Sequence, residues 1–286
     1  MIEHSELPLT LLEETAVSAA RAGASVLLDR WRGIRHVEFK GEIDLVTDAD
    51  RQSEQAVVSF LRSRFPDHEV LAEEGSTGGA SPIYRWIVDP LDGTTNYAHG
   101  YPHFAVSVAV EHEGKVLAGA VYDPLLDEMF QARVGGGAFL NGAPISPSRV
   151  DQLLQALVGM GFPYDRRLFG AVMRRFNYFA RRCQGMRRDG SAALDICYVA
   201  AGRLDAFYED HLYPWDVAAG ILIAREAGCA VTDFLGRPAE VYGSSIVATN
   251  GHLHPAILAG LDESDRRAAH LSGARRFGKS GGPEGG

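Results

Sequence analysis

The sequence predicts an α+β protein in which antiparallel strands are flanked by layers of helices, or a layered αβαβα architecture. Three observations support this fold class. Residues 105–132 contain three short apolar runs with two-residue alternation, separated by turn residues, as in an antiparallel sheet. Segments with apolar residues at helical spacing precede and follow this region. The chain has no internal repeat and no Gly-x-Gly-x-x-Gly motif, so neither a repeat array nor a dinucleotide-binding sheet is indicated.

The first third of the chain predicts two helices and three short strands. Leu12, Ala16 and Ala19 lie on one face of the first helix, and the second helix stops before Pro66. A Gly- and Ser-rich segment at 74–82 predicts a mobile loop. In chain order, the elements are a helix, a strand, a helix and two strands, over residues 8–31, 36–39, 49–64, 69–72 and 86–88.

The rest of the chain begins with the antiparallel strands and continues with mixed elements. Hairpin turns are predicted at 113–114 and 124–127. The predicted strands cover residues 105–110, 116–121, 128–132, 157–162, 205–208 and 246–249. The predicted helices cover residues 165–183, 191–201, 216–227 and 255–261. Together these elements predict a single domain over 1–271, with sub-lobes at about 1–150 and 151–271, followed by a disordered tail at 272–286.

Composition indicates a soluble globular protein, because 46% of the 286 residues are hydrophobic and 23% are charged. The formal net charge of −9 argues against general affinity for nucleic acid. Cys183, Cys197 and Cys229 are widely spaced, which favours free thiols in a reducing compartment. No apolar run reaches the ~18 residues of a membrane span, and the acidic N-terminus lacks the apolar core of a signal peptide. We therefore expect a cytoplasmic protein that does not contact membranes.

The most informative segment reads Asp-Pro-Leu-Asp-Gly-Thr-Thr-Asn over residues 89–96. It places Asp89 and Asp92 after an apolar strand and directly before a Gly-Thr-Thr turn that opens a helix. Carboxylates bind hard cations such as Mg²⁺, and such a turn offers N–H groups and hydroxyls to a phosphate. Because Asp-Pro and Asp-Gly also form ordinary turns, this segment alone leaves a plain loop as an alternative.

Acidic residues in three further segments make the plain-loop interpretation weaker. They follow a short strand at Glu73-Glu74, crowd the segment around Asp44 and Asp50, and start an Ala- and Gly-rich helix at Trp215-Asp216. Acids collected at strand ends and helix starts repel one another unless cations lie between them. The sequence therefore predicts a metal-assisted site for a phosphate ester.

These segments resemble the inositol monophosphatase superfamily, whose members are Mg²⁺-dependent, lithium-sensitive phosphatases. The resemblance extends from about Leu9 to about Leu258 in the family's order and spacing. It implies the αβαβα sandwich, phosphomonoester hydrolysis and a homodimer. The matching motifs are Asp-Leu-Val-Thr at 44–47 with Asp50, Glu-Glu-Gly-Ser at 73–76, the strand and turn at 86–96, Gly-Ser-Ala-Ala at 190–193, and Trp-Asp-Val-Ala-Ala-Gly at 215–220.

The resemblance also implies a set of metal ligands for two or three Mg²⁺ ions, with Mn²⁺ as a further candidate. Asp89 binds two of the ions. Glu73 and the carbonyl of Leu91 complete the first site, and Asp92 and Asp216 complete the second. Glu73 is also the expected ligand of a third, weaker ion.

Catalytic and substrate roles follow from the same resemblance. Thr94, backed by Asp50, matches the pair that activates water, with Glu73 as a further catalytic residue. Taken alone, Asp50 would more often be an acid favoured by the dipole of a helix N-terminus, and the full set of motifs favours the catalytic role. Lys40 and Asp44 match motif positions, with a solvated lysine and a structural cap as equal alternatives. The expected substrate-binding residues are Asp92, Gly93, Thr94, Thr95, Ala192, Glu209 and Asp216.

Two sets of alternatives remain open for the function. The leading substrate is myo-inositol 1-phosphate or a similar polyol phosphate, and histidinol phosphate and fructose 1,6-bisphosphate are the runners-up. A different class is a regulator that binds RNA or protein through basic residues between Arg166 and Arg188, for which the plain alternative is a solvated helix face or a dimer contact. Those residues are Arg166, Arg167, Arg174, Arg175, Arg181, Arg182, Arg187 and Arg188.

Overall fold

The computed structural model describes residues 7–31, 37–39, 45–75, 83–163 and 165–277. Its α-helices are α1 Leu9–Arg30, α2 Asp48–Arg64, α3 Thr94–His99, α4 Phe169–Ala180, α5 Ala192–Ala200, α6 Pro214–Glu226 and α7 His254–Phe277. Its first strands are β1 Val37–Phe39, β2 Leu45–Thr47, β3 Glu69–Ala72, β4 Tyr84–Asp92, β5 Ala105–His112, β6 Lys115–Asp123 and β7 Glu128–Arg133. The remaining strands are β8 Gly137–Leu140, β9 Ala143–Pro144, β10 Leu157–Met160, β11 Gly185–Arg187, β12 Ala206–Asp210, β13 Ala230–Thr232 and β14 Ser245–Thr249.

Two sheets separate three layers of helices. The larger sheet has the order β3-β4-β5-β6-β7-β8-β9, and the smaller has the order β11-β10-β12-β14-β13. Trp86 and Val88 pack with α1 and α2 on one face of the large sheet, whereas Ile87 between them faces α5 and α6 on the other. This alternation is the two-residue period of a strand buried on both faces.

The smaller sheet closes the middle layer from the other side. Phe207 and Ala248 of this sheet share a buried cluster with α5 and α6, whereas Tyr208 and Val247 pack with α4 and α7 on the opposite face. The layer order is therefore α1/α2, large sheet, α5/α6, small sheet and α4/α7. This is the predicted αβαβα sandwich.

The predicted antiparallel core is confirmed for β5, β6 and β7, which pair antiparallel through tight turns, with a register shift between Val110 and Glu111 in the β5–β6 pair. The β5–β6 turn uses Glu113 and Gly114, both with positive φ, as a two-residue hairpin requires. The sheets as a whole are mixed rather than antiparallel, because β3 pairs parallel with β4, and β10 pairs parallel with both β11 and β12. A 3₁₀ turn and α4 connect β10 to β11, and the apolar pattern of a strand carries no information about its partner's direction.

Several element boundaries differ from the sequence prediction. The predicted helix at 165–183 is a 3₁₀ turn at Arg166–Leu168 followed by α4, and the last helix runs to Phe277 instead of ending at 261. Residues 272–277, placed in a disordered tail by their composition, are therefore helical, while 278–286 lie outside the described residues. The short strands β8, β9, β11 and β13 were not predicted, because two to four residues are too few to show an alternating pattern. Within the described ranges, no helix is both long enough and apolar enough to cross a membrane.

Candidate metal and phosphate site

The site begins where two parallel strands end side by side. Ala72, the last residue of β3, pairs with Val88 of β4, and the N–H of Glu73 donates a hydrogen bond of 3.3 Å to the carbonyl of Val88. Because the strands run in the same direction, the residues after this pair emerge at one edge of the sheet. Glu73 and Asp89 are thereby brought together although 16 positions separate them in the chain.

A β-bulge then aims the next acid into the same region. Asp89 pairs with Ser107 and Asp92 with Ala105, so three steps along β4 match two along β5. In a regular strand, residues three apart point to opposite faces, and the bulge changes that direction. The N–H of Leu91 donates to Asp89 Oδ1 at 2.9 Å inside this bulge.

Asp89 is a strongly perturbed member of the acid group. Its side chain is buried, and burial raises its pKa well above the ordinary range, with further increases from the charges of Glu73, Asp92 and Asp216. Four carboxylates thus lie close enough to repel one another in a region of low polarity. This is the environment that a bound cation stabilises, and the all-oxygen donors suit a hard cation such as Mg²⁺. The residues present therefore fit the metal ions that the resemblance implies.

Asp92 and Asp216 are held by helix N-termini on the other side of the site. Asp92 accepts hydrogen bonds from Ser191 Oγ at 2.6 Å and from the N–H of Ala193 at 2.7 Å, where α5 begins. Burial raises the pKa of Asp92 to about 6, although these hydrogen bonds counteract the effect. Asp216, the third residue of α6, accepts the N–H of Tyr213 at 2.7 Å, and burial followed by the charge of Asp92 raises its pKa well above the ordinary value. Backbone N–H groups therefore help to orient both carboxylates, and the Ser191 hydroxyl also holds Asp92.

Thr94 and Asp50 form a buried hydrogen-bonded pair. Thr94, at the start of α3, has its Oγ1 2.9 Å from Asp50 Oδ1 and 3.1 Å from the carbonyl of Leu91. Asp50 lies in the first turn of α2 and is 0% exposed. Asp50 therefore satisfies both interpretations made from the sequence. It is an acid in the first turn of a helix, and it is the hydrogen-bond partner of the predicted catalytic hydroxyl of Thr94.

In the predicted phosphate-binding turn, the position of Gly93 leaves little space for a side chain. Gly93 has a φ of 98°, which favours glycine, and a Cβ there would lie 3.1 Å from the carbonyl oxygen of His103. Thr95 is exposed next to the buried Thr94. Gly93, Thr94 and Thr95 are thus contiguous at the site, and their role in holding phosphate stays a prediction.

Glu209 reaches the site from β12 in the smaller sheet. Burial raises its pKa to about 8, the guanidinium of Arg188 lowers it, and the charge of Asp92 raises it. Ala192 is buried, and its backbone N–H interacts with the Asp92 carboxylate. The structure therefore brings Glu209, Asp92 and Ala192 together, while Lys40 and Asp44 lie outside the described residues, as does most of the loop predicted at 74–82.

Sequence reasoning missed the residues that support this site. Ser191 was quoted within a motif, but its bond to Asp92 was not foreseen. Asn96 Nδ2 donates to the carbonyls of His103 and Asp189 at 2.8 and 2.7 Å and so joins the loops around the site. The one available signal for Ser191 was its position before an apolar helical segment, which is typical of an N-cap.

The arginine-rich segment does not form one solvated face. Arg175 is buried, with ion pairs of 2.6 Å to Asp210 and 2.8 Å to Asp265. Arg188 is exposed, its guanidinium lies 5.4 Å from the centre of the Phe162 ring, and its charge lowers the pKa of Glu209. Of the rest, Arg167 pairs with Asp165, Arg182 stacks on Tyr178, and Arg174, Arg181 and Arg187 are exposed.

Comparison with known proteins gives a consistent result. A model of the inositol monophosphatase family matches residues 9–266. The chain is 40% identical to the Nus factor SuhB of Vibrio cholerae, over 88% of this chain and 96% of that protein. It is 41% identical to inositol monophosphatase 2 of Solanum lycopersicum, over 88% and 98%. The crystal structure of the extragenic suppressor protein suhB from Bartonella henselae superposes with a TM-score of 0.84 at 39% identity, covering 87% of this chain and 97% of that one. The chain therefore belongs to the inositol monophosphatase family, whose members are generally metal-dependent phosphatases.

Proposed function

We propose that this protein is a Mg²⁺-dependent phosphomonoesterase that acts on myo-inositol 1-phosphate or a similar polyol phosphate. The observation that carries the proposal is the buried Thr94–Asp50 hydrogen bond beside the acid group at the ends of β3 and β4. A purely structural metal site would need the acids but not this hydroxyl–carboxylate pair.

The ligand assignment follows the donors present. Asp89 would hold two ions, the first completed by Glu73 and the Leu91 carbonyl, and the second by Asp92 and Asp216. Glu73 would also hold a third, weaker ion, and Mn²⁺ suits the same oxygens. When bound, such ions lower the pKa of water and stabilise negative charge on the phosphate and leaving oxygens.

The chain's own residues then orient the attack. Because Thr94 Oγ1 donates to Asp50 Oδ1, its lone pairs are free to accept a proton from water, and the hydroxyl proton can pass to Asp50. The turn formed by Gly93, Thr94 and Thr95 would hold the phosphate oxygens through backbone N–H groups and hydroxyls. In-line attack would require this relay to hold the water on the side of the phosphate opposite the leaving group.

The polyol is bound by groups from both sheets. Glu209, Asp92 and Asp216 would bind its hydroxyls, together with the backbone at Ala192. With a pKa of about 8, Glu209 carries a proton at neutral pH in the metal-free protein. A carboxyl group in that state both donates and accepts hydrogen bonds, which suits neighbouring ring hydroxyls.

The direct experiment measures phosphate release from myo-inositol 1-phosphate with and without Mg²⁺. We expect Mg²⁺-dependent turnover that is lost in Asp89→Asn, is lost in Thr94→Val and survives in Thr94→Ser. Histidinol phosphate and fructose 1,6-bisphosphate serve as competing substrates, and a higher kcat/KM for either would replace the polyol assignment. Turnover that does not depend on Mg²⁺, or that persists in Asp89→Asn, would contradict the mechanism.

A second candidate function is binding of RNA or protein through Arg174, Arg181 and Arg187. The observation that favours it is the exposure of these three side chains on a protein of net charge −9, alongside relatives named Nus factor SuhB. Salt-sensitive RNA binding that is lost in an Arg181→Ala, Arg187→Ala variant, with phosphatase activity retained, would support it. The expected homodimer is checked in the same preparation by light scattering.

A further inference from the structure

A second group of potential metal ligands shares no side chain with the four site carboxylates, although the charge of Asp92 acts on its member Asp195. It consists of His103 in the segment between α3 and β5, Asp189 in the segment before α5, and Asp195 in the first turn of α5. One ligand atom from each residue lies within 4.8 Å of the other two. The proposed hydrolysis uses none of these three side chains.

Two atoms of this group are buried and unsatisfied. Asp195 is 1% exposed, and its Oδ1 has no hydrogen-bond partner among the described residues. His103 Nε2 is also buried without such a partner in the same described set. Burying a polar atom without a partner is costly, so native proteins normally satisfy such atoms with protein, water or an ion.

The electrostatics favour a cation in this position. Burial, followed by the charges of Asp189 and Glu209, raises the pKa of Asp195 well above its ordinary value. Burial also lowers the pKa of His103, which favours its neutral imidazole. The neutral ring is the form that binds metals, while the two acids would supply negative charge.

The backbone around the group is already held in place. Asn96 Nδ2 donates to the carbonyls of both His103 and Asp189, so a single side chain joins the two segments. The N–H of Asp195 donates to the Ser191 carbonyl at 3.0 Å, which fixes the first turn of α5. Because only side-chain rotation is then needed to close the group, binding would cost little ordering of the chain.

We propose that His103, Asp189 and Asp195 form a binding site for one divalent transition-metal ion of the Zn²⁺ or Co²⁺ type. One imidazole and two carboxylates favour such ions over Mg²⁺, which prefers oxygen ligands and retains water. Bonds of about 2.0–2.2 Å in a tetrahedral zinc site place ligand atoms about 3.3–3.6 Å apart, so rotation of the three side chains, whose ligand atoms lie within 4.8 Å of one another, would close the group. The ion would brace the start of α5, where Ser191 and Ala193 hold Asp92.

The test is titration of metal-stripped full-length protein with Co²⁺ in excess Mg²⁺, followed by visible absorption and equilibrium dialysis. Wild type is expected to bind one more equivalent of Co²⁺ than His103→Gln. His252→Gln changes an exposed histidine and serves as the matched control, with wild-type uptake expected. Asp189→Asn, in a partly exposed segment, is the second variant if His103→Gln fails to fold.

A thermal measurement gives an independent readout. Zn²⁺ in excess Mg²⁺ should raise the Tm of wild type and of His252→Gln, but not that of His103→Gln or Asp189→Asn. Equal Co²⁺ uptake by wild type and His103→Gln, or no uptake beyond the Mg²⁺-protected sites, would overturn the proposal. These measurements do not depend on phosphatase activity. If the proposed hydrolysis is not observed, they still test the metal site.

Discussion

The carboxylate of Glu209 lies directly against the backbone of Gly161, so closely that a Cβ on Gly161 would be 1.9 Å from Glu209 Oε1. Gly161 follows β10, and Glu209 lies in β12, the parallel neighbour of β10. The absence of a side chain at position 161 is therefore what allows Glu209 to occupy its place beside Asp92. This relationship makes Gly161 a positioning residue for Glu209, whose carboxylate is proposed to bind substrate hydroxyls.

Gly161→Ala should displace Glu209 and weaken substrate binding more than catalysis. We expect KM for the polyol phosphate to rise about tenfold, because the hydrogen bond between Glu209 and a substrate hydroxyl is worth up to roughly 1.5 kcal/mol. Steady-state kinetics measure the change. Gly170→Ala is the control, since its Cβ would meet only the end of Arg174 at 3.6 Å, and an equal effect there would argue against displacement of Glu209.

Asp50→Asn should lower kcat with little change in KM. The variant keeps the shape of the buried side chain but removes the base to which Thr94 passes its proton. General acid–base catalysis contributes about 10²–10⁴-fold, so we expect a loss within that range. Single-turnover rates at saturating Mg²⁺ give the measurement, and a normal rate in this variant would remove Asp50 from the mechanism.

Ser191→Ala should reduce both stability and metal affinity. Ser191 caps α5 by accepting the N–H of Leu194 at 3.4 Å, and its hydroxyl donates to Asp92. Loss of the cap should cost about 1 kcal/mol, and loss of the bond to a metal ligand should weaken Mg²⁺ binding about 10–100-fold. Thermal unfolding and the Mg²⁺ dependence of activity test the two effects. Ser18→Ala, which loses an exposed hydroxyl, should change neither.

The metal-free protein should become less stable as pH rises from about 5 to about 8. The pKa of Glu209 is raised from 4.5 to about 8, so its protonated form is favoured on folding. Its contribution is therefore fully present below pH 4.5 and is lost as pH rises through about 8. In EDTA, Tm should fall over this range, and Glu209→Gln should reduce the fall. An equal slope in wild type and variant would mean that Glu209 does not titrate in this way.

Arg175→Met should destabilise the fold by about 3 kcal/mol or more without affecting RNA binding. The change leaves Asp210 partly buried and without its guanidinium partner. Urea unfolding measures the loss of stability. The neighbouring Arg174→Ala removes an exposed arginine and should be nearly neutral, so equal effects would contradict the structural role of Arg175.

Much of this protein could be predicted from local patterns in the sequence. The strands β5, β6 and β7 have two-residue alternation and tight turns, and the helices α1, α2 and α6 show helical spacing with clear boundaries. The acid-rich segments around Asp50, Glu73, Asp89 and Asp216 could be recognised for the same reason, because strand ends, turn formers and helix starts are features of a few adjacent residues. The family resemblance then assigned these acids their expected roles.

The tertiary structure alone decided which of these groups meet. The parallel pairing of β3 with β4 aligns Glu73 with Asp89, and a bulge turns Asp92 to the same side. Packing also places Gly161 beneath Glu209. Such contacts join residues far apart in the chain, and their geometry depends on strand direction, register and the fit of buried side chains. None of these properties is encoded in the spacing of neighbouring residues, so the sequence determined the parts of the site and the fold determined its arrangement.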